Sequence, residues 1–417
     1  MVKRIIFHID ANSAYLSWEA AYRLQHGDPL DLRTVPSIIG GNPETRHGIV
    51  LTKSIPAKQY GIQTGETLYT ALAKCPELVI VPPNYSLYMQ CSKAFGDILR
   101  EYSPSVEQYS IDEYFVDFSA MERLFKDPIK AAYVIKNRIK NELGFTVNVG
   151  ISTNKILAKM ASELEKPDKV HTIFPEEIAE KMWVLPIEEL FMVGRATSKK
   201  LRSRGIRTIG NLANYDPKLI KLFLHSHGLL VWNYANGIEN NPVRENRRPI
   251  IKGMGNSTTI SFDVEDRDTA HLVLLSLTET VTARLRQAGC CAGLVSISLR
   301  TNEFYNCSHQ RKLFSATDCT NTIYEIACEL FDELWKGEPV RHLGVRTSEL
   351  CLNDFHQIAF FEKDYDKQRA VDRVVDVIRE KYGNGSVFRS AFLHSGVRFS
   401  SGGTVEDEEY PIMSSIL

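Results

Sequence analysis

The chain has 417 residues, 43% of them hydrophobic, which is enough for several packed cores and suggests about two to four domains. No apolar run approaches the roughly 20 residues of a membrane span, so the pattern predicts no membrane-spanning helix. The net charge of −1 neither requires nor excludes a nucleic-acid partner, so local clusters of charge have to decide that question.

The N-terminal stretch "MVKRIIFHIDAN" predicts a first strand and not a signal peptide, because no small-residue cleavage site follows its short apolar run. The eight cysteines form no C-x-x-C pair, and Cys290 and Cys291 are too close for ordinary zinc-ligand spacing. We interpret the cysteines as reduced residues of a cytoplasmic protein.

The first part of the chain predicts strands and helices in a definite order. A strand at 3–10 ends in an acid, and Asn12 or Ser13 can cap the helix that follows. Turn residues then interrupt the pattern over about 25–83. The order continues with a helix at 86–102, strands at 105–111 and 114–118, a helix between Asp127–Pro128 and Gly144, a strand at 145–151 and a helix at 153–167.

Without the interruption, this order is strand–helix–strand–strand–helix–strand, the split βαβ or ferredoxin-like pattern. Strands one and three are central neighbours in that pattern, which places Asp10 beside the turn that carries Asp112 and Glu113. Adjacent acids are most often a solvated turn, but here the flanks in "YSIDEYFVDF" (109–118) are apolar and a second strand-end acid converges. A divalent cation would offset the repulsion, so the sequence predicts a metal site at this sheet edge.

Two further segments offer groups that can bind phosphate. "LTKSIPAKQYG" (51–61) supplies Thr52, Ser54, Lys58 and backbone N–H groups, and the alternative is an ordinary polar loop. Lys166 either stabilises a helix C-terminus or reaches phosphate across the same sheet edge.

A basic segment at 190–216 predicts two helices around a Gly turn, within a largely helical region at about 172–240. Hairpin N–H groups of this kind can hold a DNA phosphate, and nearby cations add attraction. The basic residues of the segment and of the linker that follows are Arg195, Lys199, Lys200, Arg202, Arg204, Arg207, Arg244, Arg247, Arg248 and Lys252.

The strand–helix order repeats late in the chain, without paired acids at the corresponding turn. One copy is therefore a candidate for chemistry and the other for binding. The predicted elements are strand 250–262, helix 268–288, strands 294–302 and 309–315, helix 320–336 and strand 341–352, followed by a charged helix at about 365–382.

Together these segments resemble the Y-family translesion DNA polymerases, in particular the bacterial UmuC/DinB branch, over residues 3–355. "FHIDANSAYLSWE" is similar to the first acidic motif of that family, "YSIDE" to the second and "VGISTNKILAKMASELEKPD" to the palm motif that follows. "VGRATSKKLRSRGIRTIGNLA" resembles the helix-hairpin-helix of the thumb, and "GMGNSTTISF" resembles the opening of the little finger.

The resemblance implies an α+β multidomain fold of the right-hand polymerase type, with a ferredoxin-like palm, small fingers, a helical thumb and a second βαββαβ unit as little finger. The implied domains are palm 1–17 and 84–171, fingers 18–83, thumb 172–240, little finger 248–352 and a C-terminal extension 353–417.

The resemblance also implies roles for individual residues. Two Mg²⁺ ions would be held by Asp10, Asp112, Glu113 and the carbonyl of Ala11. The incoming dNTP would contact Ala14, Tyr15, Thr52, Lys58 and Lys166, with Tyr15 as the steric gate against ribonucleotides. Primer-template DNA would contact Gly194, Arg195, Lys199, Lys200 and Arg204 in the thumb.

The stretch "QIAFF" (357–361) resembles the short peptide with which bacterial polymerases bind the sliding clamp. Gln357, Phe360 and Phe361 would be its anchors, and the alternative is packing on the helix that follows. Beyond DNA, dNTP and the clamp, we expect no membrane partner and a monomeric protein.

Four positions depart from the usual family pattern. Asn12 replaces an Asp of many DinB-type members, Ile55 replaces a Tyr, Lys58 replaces an Arg, and Met192 stands at a common Gly position. A lysine is a point charge without the bidentate fork of arginine, so Lys58 alters triphosphate contacts and leaves the reaction class unchanged.

The implied activity is template-directed DNA synthesis past lesions, as part of DNA damage tolerance. The primer 3′-hydroxyl would attack the α-phosphate of a dNTP, and pyrophosphate would leave. Two alternatives remain open at this point. One is a nucleotidyl cyclase, which would not need the basic hairpins, and the other is an inactive DNA-repair scaffold, which leaves the converging carboxylates unexplained.

Overall fold

The computed structural model describes residues 4–41, 48–121, 124–244, 251–353 and 365–399. These residues divide into two compact units, with the boundary between residues 244 and 251. Each unit contains a sheet covered by helices, as the predicted α+β class requires. Among the helices in these ranges, none has both the length and the apolar composition of a bilayer-crossing segment.

The first unit contains eight strands and nine α-helices within its described residues. In chain order these are β1 Ile6–Ala11, α1 Ala14–Gln25, β2 Ser37–Gly40, β3 Val50–Lys53, α2 Ile55–Gln59, α3 Leu68–Lys74, β4 Val79–Val81, α4 Tyr85–Tyr102, β5 Val106–Gln108, β6 Glu113–Asp117, α5 Pro128–Leu143, β7 Val147–Ser152, α6 Lys155–Glu163, β8 Val170–Thr172, α7 Arg195–Arg202, α8 Ile209–Ala213 and α9 Pro217–Ala235.

The main sheet of the first unit has the order β5-β6-β1-β7-β8. Its first four strands reproduce the ferredoxin-like order, with β1 between β6 and β7 and antiparallel to both. Side chains of β1 alternate between faces, because Phe7 and Ile9 join the core formed with α4 and α5, whereas Ile6 joins the core formed with α6. The metal site predicted from the sequence lies at the C-terminal end of β1, a fully buried strand in the centre of the sheet.

Helices α5 and α6 begin at side chains that cap their first turn. Asp127 accepts hydrogen bonds from the N–H groups of Ile129 and Lys130, and Gly144 ends α5 in the left-handed region at φ 75°. Asn154 caps α6 by accepting from the N–H of Leu157 at 2.9 Å. Both boundaries of α5 confirm the prediction.

The start of α1 differs from the prediction that Asn12 or Ser13 caps it. Ser13 occupies the cap position in the left-handed region at φ 48° and makes no side-chain cap bond. The Asn12 amide instead donates to the side-chain oxygen of Asn148 at 3.1 Å and accepts from the N–H of Asp168 at 2.9 Å. An aspartate at position 12 could not make the first of these bonds, which gives a physical reason for this departure from the family pattern.

The interrupting segment forms a small sheet of order β3-β2-β4, and α2 and α3 bury their own apolar residues against it. The region after β8 is helical, as predicted, with α7 and α8 joined through a turn in which Gly205 has φ 80°. Met192, at the common Gly position, also has a positive φ of 72°, so the backbone keeps the conformation that glycine favours.

The second unit repeats the predicted order of elements. It contains β9 Gly253–Val264, α10 Arg267–Gln287, β10 Cys290–Thr301, β11 Asn306–Thr317, α11 Thr320–Leu334, β12 Val340–Leu352 and α12 Tyr365–Tyr382.

The sheet of the second unit has the order β11-β10-β12-β9, which differs from the ferredoxin-like order of the first. Its central strands are the second and fourth of the motif, and the first strand, β9, lies at an edge. In both sheets, the two strands that a helix connects are separated by one other strand. The order of helices and strands along the chain therefore cannot distinguish the two sheet arrangements. The expected second copy is therefore confirmed in element order and not in strand order.

Buried ion pairs join helix α12 to α10 and to the segment before α11. Arg286 of α10 pairs with Asp376 at 2.5 Å, and Arg369 of α12 pairs with the fully buried Asp318 at 2.9 Å. The carboxylate of Glu279 in α10 forms an ion pair with Arg379 of α12, with a nitrogen–oxygen distance of 2.8 Å. These pairs make the predicted charged helix part of the second unit.

All eight cysteines lie in the described ranges, and none forms a disulfide. Other predicted residues lie outside the described part of the chain. These are the clamp residues Gln357, Phe360 and Phe361, and the linker residues Arg247 and Arg248.

Candidate active site

Strand pairing brings the predicted acids together at one edge of the first sheet. Asp10 of β1 is the direct cross-strand partner of Glu113 of β6. The N–H of Ala11 donates to the carbonyl of Asp112 at 3.0 Å, which fixes the turn before β6 against the end of β1. Residues about 100 positions apart in sequence therefore meet, as the ferredoxin-like order predicts.

Asp10 is 6% exposed, and its carboxylate is only partly compensated. Lys166 donates to Asp10 at 2.5 Å and also pairs with Glu163 at 2.9 Å. Burial raises the pKa of Asp10 to about 7, with a further contribution from the charge of Glu113, although Lys166 acts in the opposite direction. Burial alone would lower the pKa of Lys166, but Asp10 and Glu163 outweigh it and raise the pKa.

Glu113 is held from the opposite side by α6. Lys159 donates to it at 2.6 Å, and the Lys159 ammonium also lies 5.4 Å from the ring centre of Tyr109 and 5.2 Å from that of Phe191. Such cation–π contacts add to the attraction that holds the Lys159 ammonium beside Glu113. The sequence analysis did not identify Lys159, whose only signal is its position seven residues before Lys166.

Carboxylate oxygens of Asp10, Glu113 and Glu163 lie within 4.8 Å of one another, a spacing that allows them to share a metal ion. Glu163 is a residue that the sequence analysis missed, and its signal is an acid one helical turn before Lys166. Asp112 lies outside this cluster, because its carboxylate accepts a hydrogen bond from the Ser110 hydroxyl at 2.6 Å. The structure thus joins two of the three predicted carboxylates directly and places the third beside them through its backbone.

Gly150 of β7 allows α6 to approach the sheet closely enough for these contacts. A Cβ atom at this position would lie 2.0 Å from the carbonyl oxygen of Ala158 and 2.4 Å from the amide nitrogen of Ser162. Since both obstacles are backbone atoms of the helix region, only glycine permits the observed distance. This close packing positions Lys159 and Glu163 over the end of β1.

The fingers segment offers fewer free phosphate-binding groups than the sequence suggested. Thr52 lies in β3 opposite Ile39, and Lys58 is exposed at the end of α2. Ser54 is buried, accepts the N–H of Ala57 at 3.1 Å and donates to the carbonyl of Val35 at 2.7 Å. Its hydroxyl caps α2, so the suggestion that Ser54 binds phosphate is wrong.

Ala14 and Tyr15 form the first two residues of α1, directly after the strand that carries Asp10. Ala14 is buried, whereas Tyr15 is half-buried and contacts three other aromatic rings. Both residues therefore lie next to the acidic edge, and their contact with a nucleotide remains a prediction.

In the thumb region, Gly194 precedes α7, and the side chains of Arg195, Lys199 and Lys200 are exposed. Two other arginines of the basic segment have protein partners. Arg202 pairs with Glu188 through both Nε and Nη2, and the guanidinium of Arg204 lies 3.9 Å from the ring centre of Phe223. The exposed cations of α7 therefore lie at both of its ends, with Arg195 as the first residue and Lys199 and Lys200 in the last turn.

Comparisons with known proteins agree with this geometry. Residues 9–163 match the impB/mucB/samB family, and residues 251–360 match the C-terminal domain of the same family. A DNA polymerase IV from Clostridium acetobutylicum is 47% identical over 94% of this chain and 99% of its own length. Another from Acetivibrio thermocellus is 39% identical over 94% of this chain and 98% of its own length.

A solved Y-family DNA polymerase chimera, Dbh-Dpo4(243-245)-Dbh, has a similar fold, with a TM-score of 0.71 over 84% of this chain and all of its own. Its sequence identity of 22% limits that likeness to the fold. The relatives named here are polymerases, which favours DNA synthesis over the cyclase and the inactive scaffold. The chain therefore belongs to the impB/mucB/samB family and is a DinB-type, Y-family translesion DNA polymerase.

Proposed function

We propose that the edge formed by Asp10, Asp112 and Glu113 is the catalytic centre for two-metal nucleotidyl transfer from dNTP to the primer 3′-hydroxyl. The observation that supports this most is that carboxylate oxygens of Asp10, Glu113 and Glu163 lie within 4.8 Å of one another, at a place where burial raises the pKa of Asp10 to about 7. These three acids share two lysines, Lys159 and Lys166, so the negative charge of the site exceeds its compensation. A bound cation would remove that excess.

The donor set fits Mg²⁺, which prefers hard oxygen ligands. Asp10, Glu113, Asp112 and the carbonyl of Ala11 would hold two ions, and Glu163 adds a carboxylate to the same cluster. When bound, the ions lower the pKa of the attacking hydroxyl and neutralise the leaving pyrophosphate. No side chain then needs to act as a dedicated base.

The residues around the acids would bind the nucleotide. Lys166 already keeps a cation at the acidic edge, and Thr52 and Lys58 would add contacts to the triphosphate. Ala14 and Tyr15 would lie against the sugar, with the Tyr15 ring leaving no room for a 2′-hydroxyl. Gly194, Arg195, Lys199, Lys200 and Arg204 would contact the DNA backbone, for which the exposed cations of α7 and of the turn after it are suited.

The experiment that tests the centre compares Asp112→Asn and Glu113→Gln with the unchanged enzyme. Each variant should lose at least about 10³-fold in primer extension with Mg²⁺, because metal-held charge stabilisation is worth several kcal/mol. Primer-template affinity in a gel-shift assay should change little, because these groups hold metal and not DNA. Full extension by either variant would refute the assignment.

We also propose that the enzyme works as a monomer that binds a sliding clamp through "QIAFF" at 357–361, because this stretch resembles a clamp-binding peptide. Replacing Gln357, Phe360 and Phe361 together with Ala should remove stimulation by the clamp and leave clamp-free extension unchanged. Unreduced stimulation, or loss of the clamp-free activity, would show that the stretch has a structural role instead.

A further inference from the structure

Three aromatic side chains, Trp18, Tyr85 and Tyr88, surround Tyr15. The Tyr15 ring stacks face to face on Tyr88 of α4, with ring centres 4.6 Å apart and planes 8° from parallel. Tyr85 meets the same ring edge-on at 6.1 Å, and Trp18 contacts both Tyr15 and Tyr88 at 6.0 Å. The orientation of the Tyr15 ring is therefore determined by its neighbours as well as by its own backbone.

Tyr88 is the ring stacked face to face on Tyr15, and it is buried in the core. It is 0% exposed, whereas Tyr15 and Tyr85 are half-buried. The first turn of α4 is fixed by the Asn84 side chain, which accepts the N–H of Leu87 at 3.2 Å. Behind the group, the fully buried Trp18 packs edge-on against Phe145. Tyr15 thus rests on a surface that belongs to the palm core.

The stacking matters because steric exclusion depends on where a ring is held. A half-buried tyrosine without support can change its χ1 and χ2 angles and give way to an additional hydroxyl. Stacked aromatic pairs are worth about 0.5–1.5 kcal/mol. That energy corresponds to roughly a two- to tenfold change in discrimination, so losing the support has a measurable consequence.

We propose that Tyr88 is a positioning residue for sugar selection. By stacking on Tyr15 it holds the ring against which the ribose of the incoming nucleotide lies, and so contributes to discrimination between dNTP and rNTP. This inference rests on the proposed function of Tyr15 as steric gate. Since Tyr88 is fully buried, it acts through Tyr15 and not by touching the nucleotide.

The test measures single-nucleotide kcat/KM for a dNTP and the matching rNTP on one template, using the full-length enzyme. Tyr88→Leu removes the ring, Tyr88→Phe is the matched control that keeps it, and Tyr15→Ala removes the gate. We expect Tyr15→Ala to raise relative rNTP use by at least about tenfold and Tyr88→Leu by roughly three- to tenfold. Tyr88→Phe should leave the ratio unchanged.

A double variant shows whether the two residues act as a unit. Tyr88→Leu should add nothing to the ratio in the Tyr15→Ala background, because the ring it supports is already absent. An equal increase in both backgrounds would overturn the inference. A general loss of stability would lower kcat/KM for both nucleotides and leave their ratio unchanged, which separates a structural role from a positioning role.

The outcomes also separate this inference from the proposed gate. If Tyr15→Ala raises the ratio and Tyr88→Leu does not, the gate stands and the role of Tyr88 is refuted. If Tyr15→Ala leaves the ratio unchanged, the gate itself is refuted. Tyr88→Met, which fills the core with a flexible chain but presents no ring face, is measured in parallel in case the Leu variant does not fold.

Discussion

The two main sheets of this polymerase share one order of elements and differ in how their strands are arranged. In the first unit, β1 lies between β6 and β7, so the end of the first strand meets the hairpin that carries Asp112 and Glu113. In the second unit, β9 lies at an edge and pairs with β12 alone. The same order of elements therefore brings the end of the first strand against the β5–β6 hairpin in the first unit. In the second unit it leaves the first strand at the side of the sheet.

The units also differ in how buried acids are compensated. Glu279 in α10 forms ion pairs with two arginines, Arg379 at 2.8 Å and Arg389 at 2.7 Å. At the acidic edge, Asp10, Glu113 and Glu163 share Lys159 and Lys166, which leaves one negative charge in excess. A buried acid with sufficient cations stabilises a fold, whereas an excess of acids predicts a cationic ligand.

The largest expected effect on stability concerns the glycine under α6. Gly150→Ala should lower stability by about 3 kcal/mol or more and reduce extension by about 10²-fold, because Lys159 and Glu163 move with the helix. Gly344→Ala in the second sheet is the control. Its Cβ would meet the hydroxyl of Ser298 at 2.6 Å, which can rotate away, and the Cβ of Ser257 at 2.9 Å, which needs a small backbone shift, so it should cost about 1–2 kcal/mol. Urea unfolding and primer extension measure both, and equal effects would contradict this account.

A smaller loss is expected from the compensated acid of the second unit. Glu279→Gln leaves Arg379 and Arg389 without a carboxylate and should cost roughly 3 kcal/mol without a specific effect on nucleotide addition. Hydrogen–deuterium exchange of α10 and α12 should increase in this variant. Glu303→Gln, at an exposed turn of the same sheet, should leave exchange unchanged, and an increase there would show that exchange does not report the ion pairs.

The smallest effect has the opposite sign. With Mg²⁺ removed at pH 8, Asp10→Asn should raise Tm by several degrees, since the raised pKa of Asp10 means that its charge is unfavourable in the folded state. As pH rises from about 4 to 7, the unfolded chain releases the Asp10 proton while the folded protein still holds it. The free energy of unfolding of the wild type therefore falls across that range. Below pH 4 the two proteins should have the same Tm.

Mg²⁺ provides the control for this prediction. It should raise the Tm of the wild type and have less effect on Asp10→Asn, because a ligand that binds only the folded state stabilises it. A lower Tm for Asp10→Asn in metal-free buffer at pH 8 would show that the pair with Lys166 outweighs the cost of burial.

Much of this protein could be predicted from its sequence because the signals are local. The helix Pro128–Leu143 begins at its capping Asp127 and ends at Gly144, and the charged helix Tyr365–Tyr382 lies where its pattern indicates. Family motifs identified the polymerase, and the ferredoxin-like order of the first sheet correctly brought Asp10 beside Glu113.

The tertiary structure decided the features that depend on contacts between distant residues. Glu163 and Lys159 lie at the acidic edge because Gly150 lets α6 approach the sheet. The Ser54 hydroxyl caps α2. The strand order of the second sheet was likewise undetermined, because both orders satisfy the same helix connections. Local periodicity and capping specify which residues form helices and strands, but the choice among compatible pairings is made by packing across the whole unit.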